Sequence, residues 1–451
     1  MPEIIALFTI LNPCLSTTSI LHLCQVVFAL LAMTGRVTML NISRWTSKGG
    51  SYRTIQRFYN TVLPWSMMCW LFFKNYLFDP ESDYLLVADE VVVSKSGQET
   101  YGLDRYFSSL YGKAIPGLSF LAVSLVSVKD RRSYPMLMEQ IVRSNKSTNP
   151  DVSATEQSDN KLTAKTKRGR GRPKGSRNRN KKDVTLSDTL KQLQTMVKTV
   201  MRQINNHIKP GYFVLDGYFG HNNAQQMVSQ CDLQLISKLR SDAALYYPPS
   251  TPYNGRGRPA IYGDRFNSQQ SDKKWCVSVE TTDSVKAEVY QVQLRHKQFA
   301  DTLNVVCILK TNRVTQQKSH VLLFSSDLEL SAEKMIDYYS LRFQIEFNFR
   351  DAKQYWGLED FMNVNKTPVN NASNLSLFMV NVSAKLSDTF QSKKTESSVL
   401  DLKAHFRGLK YLDETLKILP QKPEPIVIEQ ITQHLGSIGA IHHTQPELNP
   451  G

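Results

Sequence analysis

The spacing of apolar and polar positions divides the chain into stretches of different period. Residues 1–80 lack strand-like alternation and predict helices. They include an apolar run from Ser19 to Met33, a break at Gly49-Gly50-Ser51, and a further helix through Arg53 and Arg57 that Pro64 stops. From Tyr84 the period shortens. YLLVADEVVV predicts a buried strand interrupted by Asp89-Glu90, with further strands near Glu99–Phe107 and Gly117–Val128. Helical periodicity returns with Leu190, Leu193, Val197, Val200 and Ile204 on one face, followed by a strand over Gly211–Phe219, a short helix and a strand over Leu233–Leu239. Residues 241–329 contain four strand-like runs, and a helix is expected over Ser331–Tyr355. Beyond Phe361 the pattern is helical again, fraying into a polar tail after about Gly436, and no internal repeat is visible.

The helix over 331–355 carries the most informative chemistry. Tyr339, Arg342, Glu346 and Lys353 stand at offsets that place them on one stripe about 60° wide at ~100° per residue. Glu333, Asp337, Ser340, Gln344, Asn348 and Asp351 mark the expected solvent face, while Ile336, Phe343, Phe347 and Phe349 flank the charged stripe. Charge inside an apolar arc is costly unless it is paired or coordinates something. A structural Arg342–Glu346 pair at i,i+4 is the simplest way to satisfy it.

Composition narrows the partners. The 451 residues hold 55 Lys or Arg against 40 Asp or Glu, a net charge of +15, which favours a polyanion: nucleic acid before an anionic membrane. The six cysteines form no Cys-x-x-Cys and no His-Cys cluster, which argues against structural zinc and a disulfide framework and for a reducing cytoplasm. The Ser19–Met33 run contains His22 and Gln25 and is too short to span a bilayer, so no membrane association is expected. Lys161–Lys182 holds eleven Lys or Arg in 22 residues and no acid, so a disordered basic tract is expected over 145–185. Within it, Arg170-Gly171-Arg172-Pro173 matches the core of an AT-hook, and a plain phosphate-binding linker explains it equally well. Arg256 and Arg258, in a second Gly-Arg-Gly-Arg-Pro, are candidate DNA-backbone contacts. For Arg53 and Arg57 a helix-turn-helix-like reader competes with a basic helix packed on the next domain.

Three acids complete the picture. Asp89 interrupts an apolar strand, Asp216 ends another, and Glu346 lies in the helical stripe. Carboxylates brought from separate elements to one sheet edge suit hard divalent cations, and two such ions can serve an in-line displacement at phosphorus. The element order is that of a ribonuclease-H-like core: an α/β fold with a mixed sheet and flanking helices. It runs over 81–240 and 330–371, interrupted by a β-rich insertion at 241–329 and flanked by a helical N-terminal DNA-binding region (1–80) and a helical C-terminal region (372–451).

Here the chain resembles insertion-sequence transposases of the Asp-Asp-Glu superfamily, in the group marked by a Tyr-x2-Arg-x3-Glu-x6-Lys signature. Tyr339, Arg342, Glu346 and Lys353 match all four positions. LVADEVVVSKSGQETYGLDRYFSS is similar to the family's first-Asp block and YFVLDGYFG to its second. The resemblance implies Asp89, Asp216 and Glu346 as catalytic metal ligands, with Tyr339, Arg342 and Lys353 holding DNA near the cut. Glu90 stands where a second Asp is common; neighbouring strand residues face opposite sides, so Glu90 is not expected to be a ligand. The resemblance further implies two Mg2+ ions, with Mn2+ able to substitute, and transposon-end and target DNA as partners. It also implies a homodimer in a synaptic complex and cut-and-paste movement by end cleavage and 3′-hydroxyl strand transfer. Trp275 is a candidate for stacking on a flipped base, against the alternative of a core residue. A catalytically silent DNA-binding descendant is the rival reading.

Overall fold

Residues 2–46, 49–108, 112–143, 180–204, 206–250, 255, 259–269, 272–391, 398–438 and 441 are described by a computed structural model. Arg170, Arg172, Arg256, Arg258 and most of the basic tract lie outside them. The N-terminal segment forms α1 (Pro2–Phe8), α2 (Thr17–Ala32), α3 (Met39–Trp45), α4 (Tyr52–Asn60) and α5 (Trp65–Tyr76). The apolar run becomes α2, buried along most of its length and capped where Ser16 accepts the Ser19 amide at 3.2 Å. Helix α4 buries Ile55, Phe58 and Tyr59 and turns Arg53 and Arg57 to solvent. No helix of the described residues is long and apolar enough to cross a membrane.

Strands β1 (Tyr84–Ser94), β2 (Asp104–Ser108), β3 (Lys113–Ser127) and β4 (Arg132–Ile141) come next, then α6 (Asp188–Ile204), β5 (Tyr212–Val214), α7 (Asn222–Ser229) and β6 (Gln234–Leu239). Strand β3 pairs antiparallel with β1 on one side and with β4 on the other, while β1, β5 and β6 run parallel. Parallel neighbours need a crossover, and α6 and α7 supply the two required. This β4-β3-β1-β5-β6 order with its helices is a ribonuclease-H-like fold. Strands β7 (Leu245–Tyr246), β8 (Cys276–Thr281), β9 (Val285–His296), β10 (Thr302–Asn312) and β11 (Lys318–Ser325) extend the same sheet, β11 pairing antiparallel with β6. The chain continues as α8 (Ala332–Leu341), α9 (Gln344–Trp356), α10 (Lys366–Gln391), α11 (Val399–Ile418) and α12 (Pro425–Ser437).

Four details depart from the periodicity. The expected strand at Glu99–Phe107 is only the short β2, and the third strand of the antiparallel unit is β4, hidden in the sequence by Pro135. That proline pairs with Ser124 where the β3–β4 register shifts, a place where its missing N–H is tolerated. The strand expected over Gly211–Phe219 stops at Val214 and turns into a short 3-10 helix, Gly217–Phe219. The helix over 331–355 is two helices. Arg342, Phe343, Ile345 and Glu346 donate their amides to residues three positions back, at 3.0–3.2 Å. Each such residue advances about 120° rather than 100°, which rotates the faces of α9 relative to α8. Phe343 is therefore 49% exposed, whereas Asn348, expected at the surface, is buried and donates to Ser133 Oγ at 2.7 Å. Asn348 thereby fixes α9 to the start of β4.

Helix α9 ends at Gly357, whose φ of 79° is the left-handed C-cap conformation. A Cβ there would meet Val37 Cβ at 2.2 Å, and the Val37 amide donates to Asp360 Oδ2 at 3.0 Å. The N-terminal helices are thus held directly against the turn that follows the helix carrying Glu346.

Candidate active site

The pairing of β1 with β5 brings two of the expected acids together. Val87 pairs with Val214 in parallel register, and Asp89 and Asp216 each lie two residues further along their chains. Two residues restore the same face of a strand, so both carboxylates leave the sheet on the same side. Asp216 is held where β5 turns: its Oδ1 accepts the Tyr218 amide at 3.2 Å and its carbonyl accepts Ser237 Oγ at 2.7 Å. Glu90 points away, accepting a hydrogen bond from Ser119 Oγ.

Arg342 joins the helix to this edge. Its Nη1 donates to Asp89 Oδ2 at 2.8 Å and its Nη2 to Glu346 Oε1 at 3.1 Å. The i,i+4 pair foreseen in the sequence therefore forms, and it extends to an acid 253 residues away. Arg342 and Asp89 are the deeper partners, with side chains 16% and 19% exposed, while Glu346 keeps 41% of its side chain open to solvent.

The electrostatics fit one crowded anionic site. Burial pushes the Asp89 carboxyl up to about 6; Arg342 and the Glu90 amide oppose this, while Asp216 and Glu346 reinforce it. Burial likewise raises Asp216, against the pull of Arg342. Tyr339 is half-buried beside Arg342, its phenol also raised by burial. An open cleft next to Asp216 is lined by Tyr218, Lys238, Arg240, Tyr339 and Arg342.

The signature lysine does not join the acids. Lys353 Nζ donates to the Val92 carbonyl at 3.1 Å, near the end of β1, and pairs with Glu359 at 3.0 Å. Arg53 and Arg57 are exposed on α4, and Trp275 is half-buried, its ring stacked against Tyr247 with centroids 6.5 Å apart. Lys238, Arg240 and Tyr218 were not singled out from the sequence. Lys238 lies near the end of β6 and Arg240 just past it, and only the β5–β6 pairing reveals that they flank Asp216.

Among the described residues, no three His, Cys, Asp or Glu side chains stand close enough together to hold a metal ion unaided. The donor chemistry nevertheless suits a hard divalent cation: the Arg342 guanidinium bridges two carboxylates, Asp89 and Glu346, and Asp216 follows the adjoining strand β5.

The sheet is ribonuclease-H-like, with Asp89 within β1 and Asp216 just beyond its parallel neighbour β5. A family model described as DDE superfamily endonuclease matches residues 11–298, more than half of the chain, and the chain belongs to that family. The match covers Asp89 and Asp216 and ends before Glu346. No curated protein matches the chain. Membership carries a transposase-like nuclease function with DNA as substrate, in a superfamily that normally works with divalent metal ions.

Proposed function

We propose that the chain is a DNA transposase of the Tyr-x2-Arg-x3-Glu-x6-Lys group. It cuts phosphodiesters at the ends of its element and joins the freed 3′-hydroxyl to target DNA. The observation that carries this reading is the cluster of Asp89 and Glu346 on Arg342, beside an Asp216 placed by the β1–β5 register. Asp89, Asp216 and Glu346 would hold Mg2+, two ions in the full assembly, with Mn2+ as a substitute. When bound, such ions polarise the phosphoryl group and lower the pKa of the attacking water.

The chain's own residues supply the rest. Partial burial of Asp89 and Asp216 weakens solvent screening of the charge that develops at phosphorus. Arg342 offers a planar fork suited to phosphate oxygens, and Tyr339 supplies a hydroxyl beside it. Lys353, anchored on the Val92 carbonyl, holds a point charge on the same helix as Glu346. The net charge of +15 and the run at Lys161–Lys182 favour non-specific grip on the DNA backbone. Arg170, Arg172, Arg256, Arg258, Arg53 and Arg57 are the proposed contacts outside the cleft. Action as a homodimer and cut-and-paste movement belong to this proposal. The rival reading, a silent DNA-binding descendant, gives no reason for Asp89 and Glu346 to share one arginine beside Asp216.

The test is Mg2+-dependent cleavage of DNA carrying the element's ends. Glu346→Ala should abolish cutting while end binding persists. Lys353→Ala should cut about 10²–10³-fold more slowly, the loss typical of one transition-state contact. Near-normal cleavage by Glu346→Ala contradicts the proposal.

A further inference from the structure

Carboxylates gathered at one site resist ionising together without a neighbouring cation, because like charges at short range raise one another's pKa. Here that cation is a side chain. Arg342 is bonded to Asp89 and Glu346 at 2.8 and 3.1 Å, and its charge also acts on Asp216. Of the other cations nearby, Arg240 pairs with Asp242 at 3.1 Å, Lys353 pairs with Glu359 at 3.0 Å, and Lys238 lines the cleft at Asp216 rather than the Asp89–Glu346 pair. Arg342 itself sits in the 3-10 turn between α8 and α9, at the wall of the cleft next to Asp216.

We propose that Arg342 is the resident cation of the metal-free site, holding Asp89 and Glu346 in place of a divalent ion, so that ion binding must expel its guanidinium and thereby frees it for a phosphate oxygen of the substrate. The inference rests on the assignment of these acids as metal ligands. A divalent ion and a guanidinium compete for the same carboxylate oxygens and repel each other at this range. The same side chain thus serves two partners in turn. Carboxylates hold it while the site lacks metal, and phosphate takes it once metal has claimed the carboxylates. The exchange links metal loading to DNA grip.

The test is Mn2+ binding to the full chain without DNA, followed by calorimetry and by the electron paramagnetic resonance of free Mn2+. Arg342→Gln, which removes the competitor, should bind Mn2+ at least tenfold more tightly than wild type. Arg342→Lys should fall between them, since an ammonium lacks the fork that bridges two carboxylates. Metal-free Arg342→Gln should melt below wild type, and saturating Mn2+ should raise its melting temperature more than that of wild type. If the variant does not fold without metal, refolding in Mn2+ should recover it; failure of that rescue overturns the proposal. Equal or weaker Mn2+ binding by Arg342→Gln overturns it as well, since the arginine would then be helping to arrange the ligands. Glu346→Gln separates the two levels of the argument. If it binds Mn2+ as wild type does, the ligand assignment itself fails. If it binds weakly while Arg342→Gln shows no gain, only the exchange fails.

Discussion

Two buried charge clusters in this molecule are neutralised in opposite ways. Where α9 meets β1 and β5, acids gather around Arg342, whose side chain lies beside an open cleft. At the C-terminus of α2, Lys403 of α11 is buried and donates to the Leu30 carbonyl at 2.6 Å, with its ammonium 4.9 Å from the Trp356 ring centre. Arg407 donates to the Ala32 carbonyl at 3.1 Å beside it. These carbonyls are among the orphan acceptors that every helix end leaves, and a cation there also meets the negative end of the helix dipole. The Lys403 cluster is complete in itself. On the proposed reading, the acid cluster is completed by a group that another cation replaces. Burial of charge alone therefore does not mark a functional site.

The sharpest way to break this contrast is Asp89→Asn. It should lower Mg2+-dependent cleavage by 10³-fold or more, because a ligand is lost. Near neutral pH it should also make the metal-free chain more stable. The sign follows from burial, which raises the folded-state pKa of Asp89 from 3.8 to about 6. Ionisation therefore costs stability progressively as pH rises from about 4 to 6, and the full cost persists above that. Asparagine avoids it, for a gain on the order of 2–3 kcal/mol at ~1.4 kcal/mol per unit. Thermal melts of both proteins across pH 4–8 check this, and a destabilised Asp89→Asn at pH 7 contradicts it.

A smaller effect sharpens the other side. Burial, with Arg407 nearby, lowers Lys403 from 10.5 to about 8. Holding the charged form thus costs stability below pH 8, and the cost is relieved as pH rises towards 10.5. Relative to Lys403→Met, wild type should gain stability across that window, by at most about 3 kcal/mol. Divalent ions should leave this difference untouched. Denaturant melts of both proteins at pH 7.5, 9 and 10.5 measure it, and a constant difference would show that Lys403 keeps its ordinary pKa.

Much of the site is legible in the sequence because its residues are expensive. An acid in the apolar run YLLVADEVVV, or a charged stripe inside an apolar arc, needs a reason, and Asp89, Arg342 and Glu346 do meet, whereas Lys353 does not join them. What local pattern cannot show is pairing. The Arg342–Glu346 contact is visible at i,i+4, but the Arg342–Asp89 contact depends on the sheet edge, as do the positions of Lys238 and Arg240. The break at Arg342–Phe343 is illegible for another reason. Both residues keep right-handed helical backbone angles, with no Gly or Pro at the turn, and only the change to shorter hydrogen-bonded turns rotates the faces. Strand β4 was hidden by a proline that the register shift accommodates.

The central claim is that Asp89, Asp216 and Glu346 share one cation site, and radical mapping tests it most directly. Fe2+ placed in the Mg2+ site, with ascorbate and peroxide, releases hydroxyl radicals that cut the polypeptide nearby. Cuts should cluster around residues 89, 216 and 346, compete with added Mg2+, and vanish in Asp216→Asn. Cuts confined to other segments, or a pattern unchanged in that variant, would contradict the shared site.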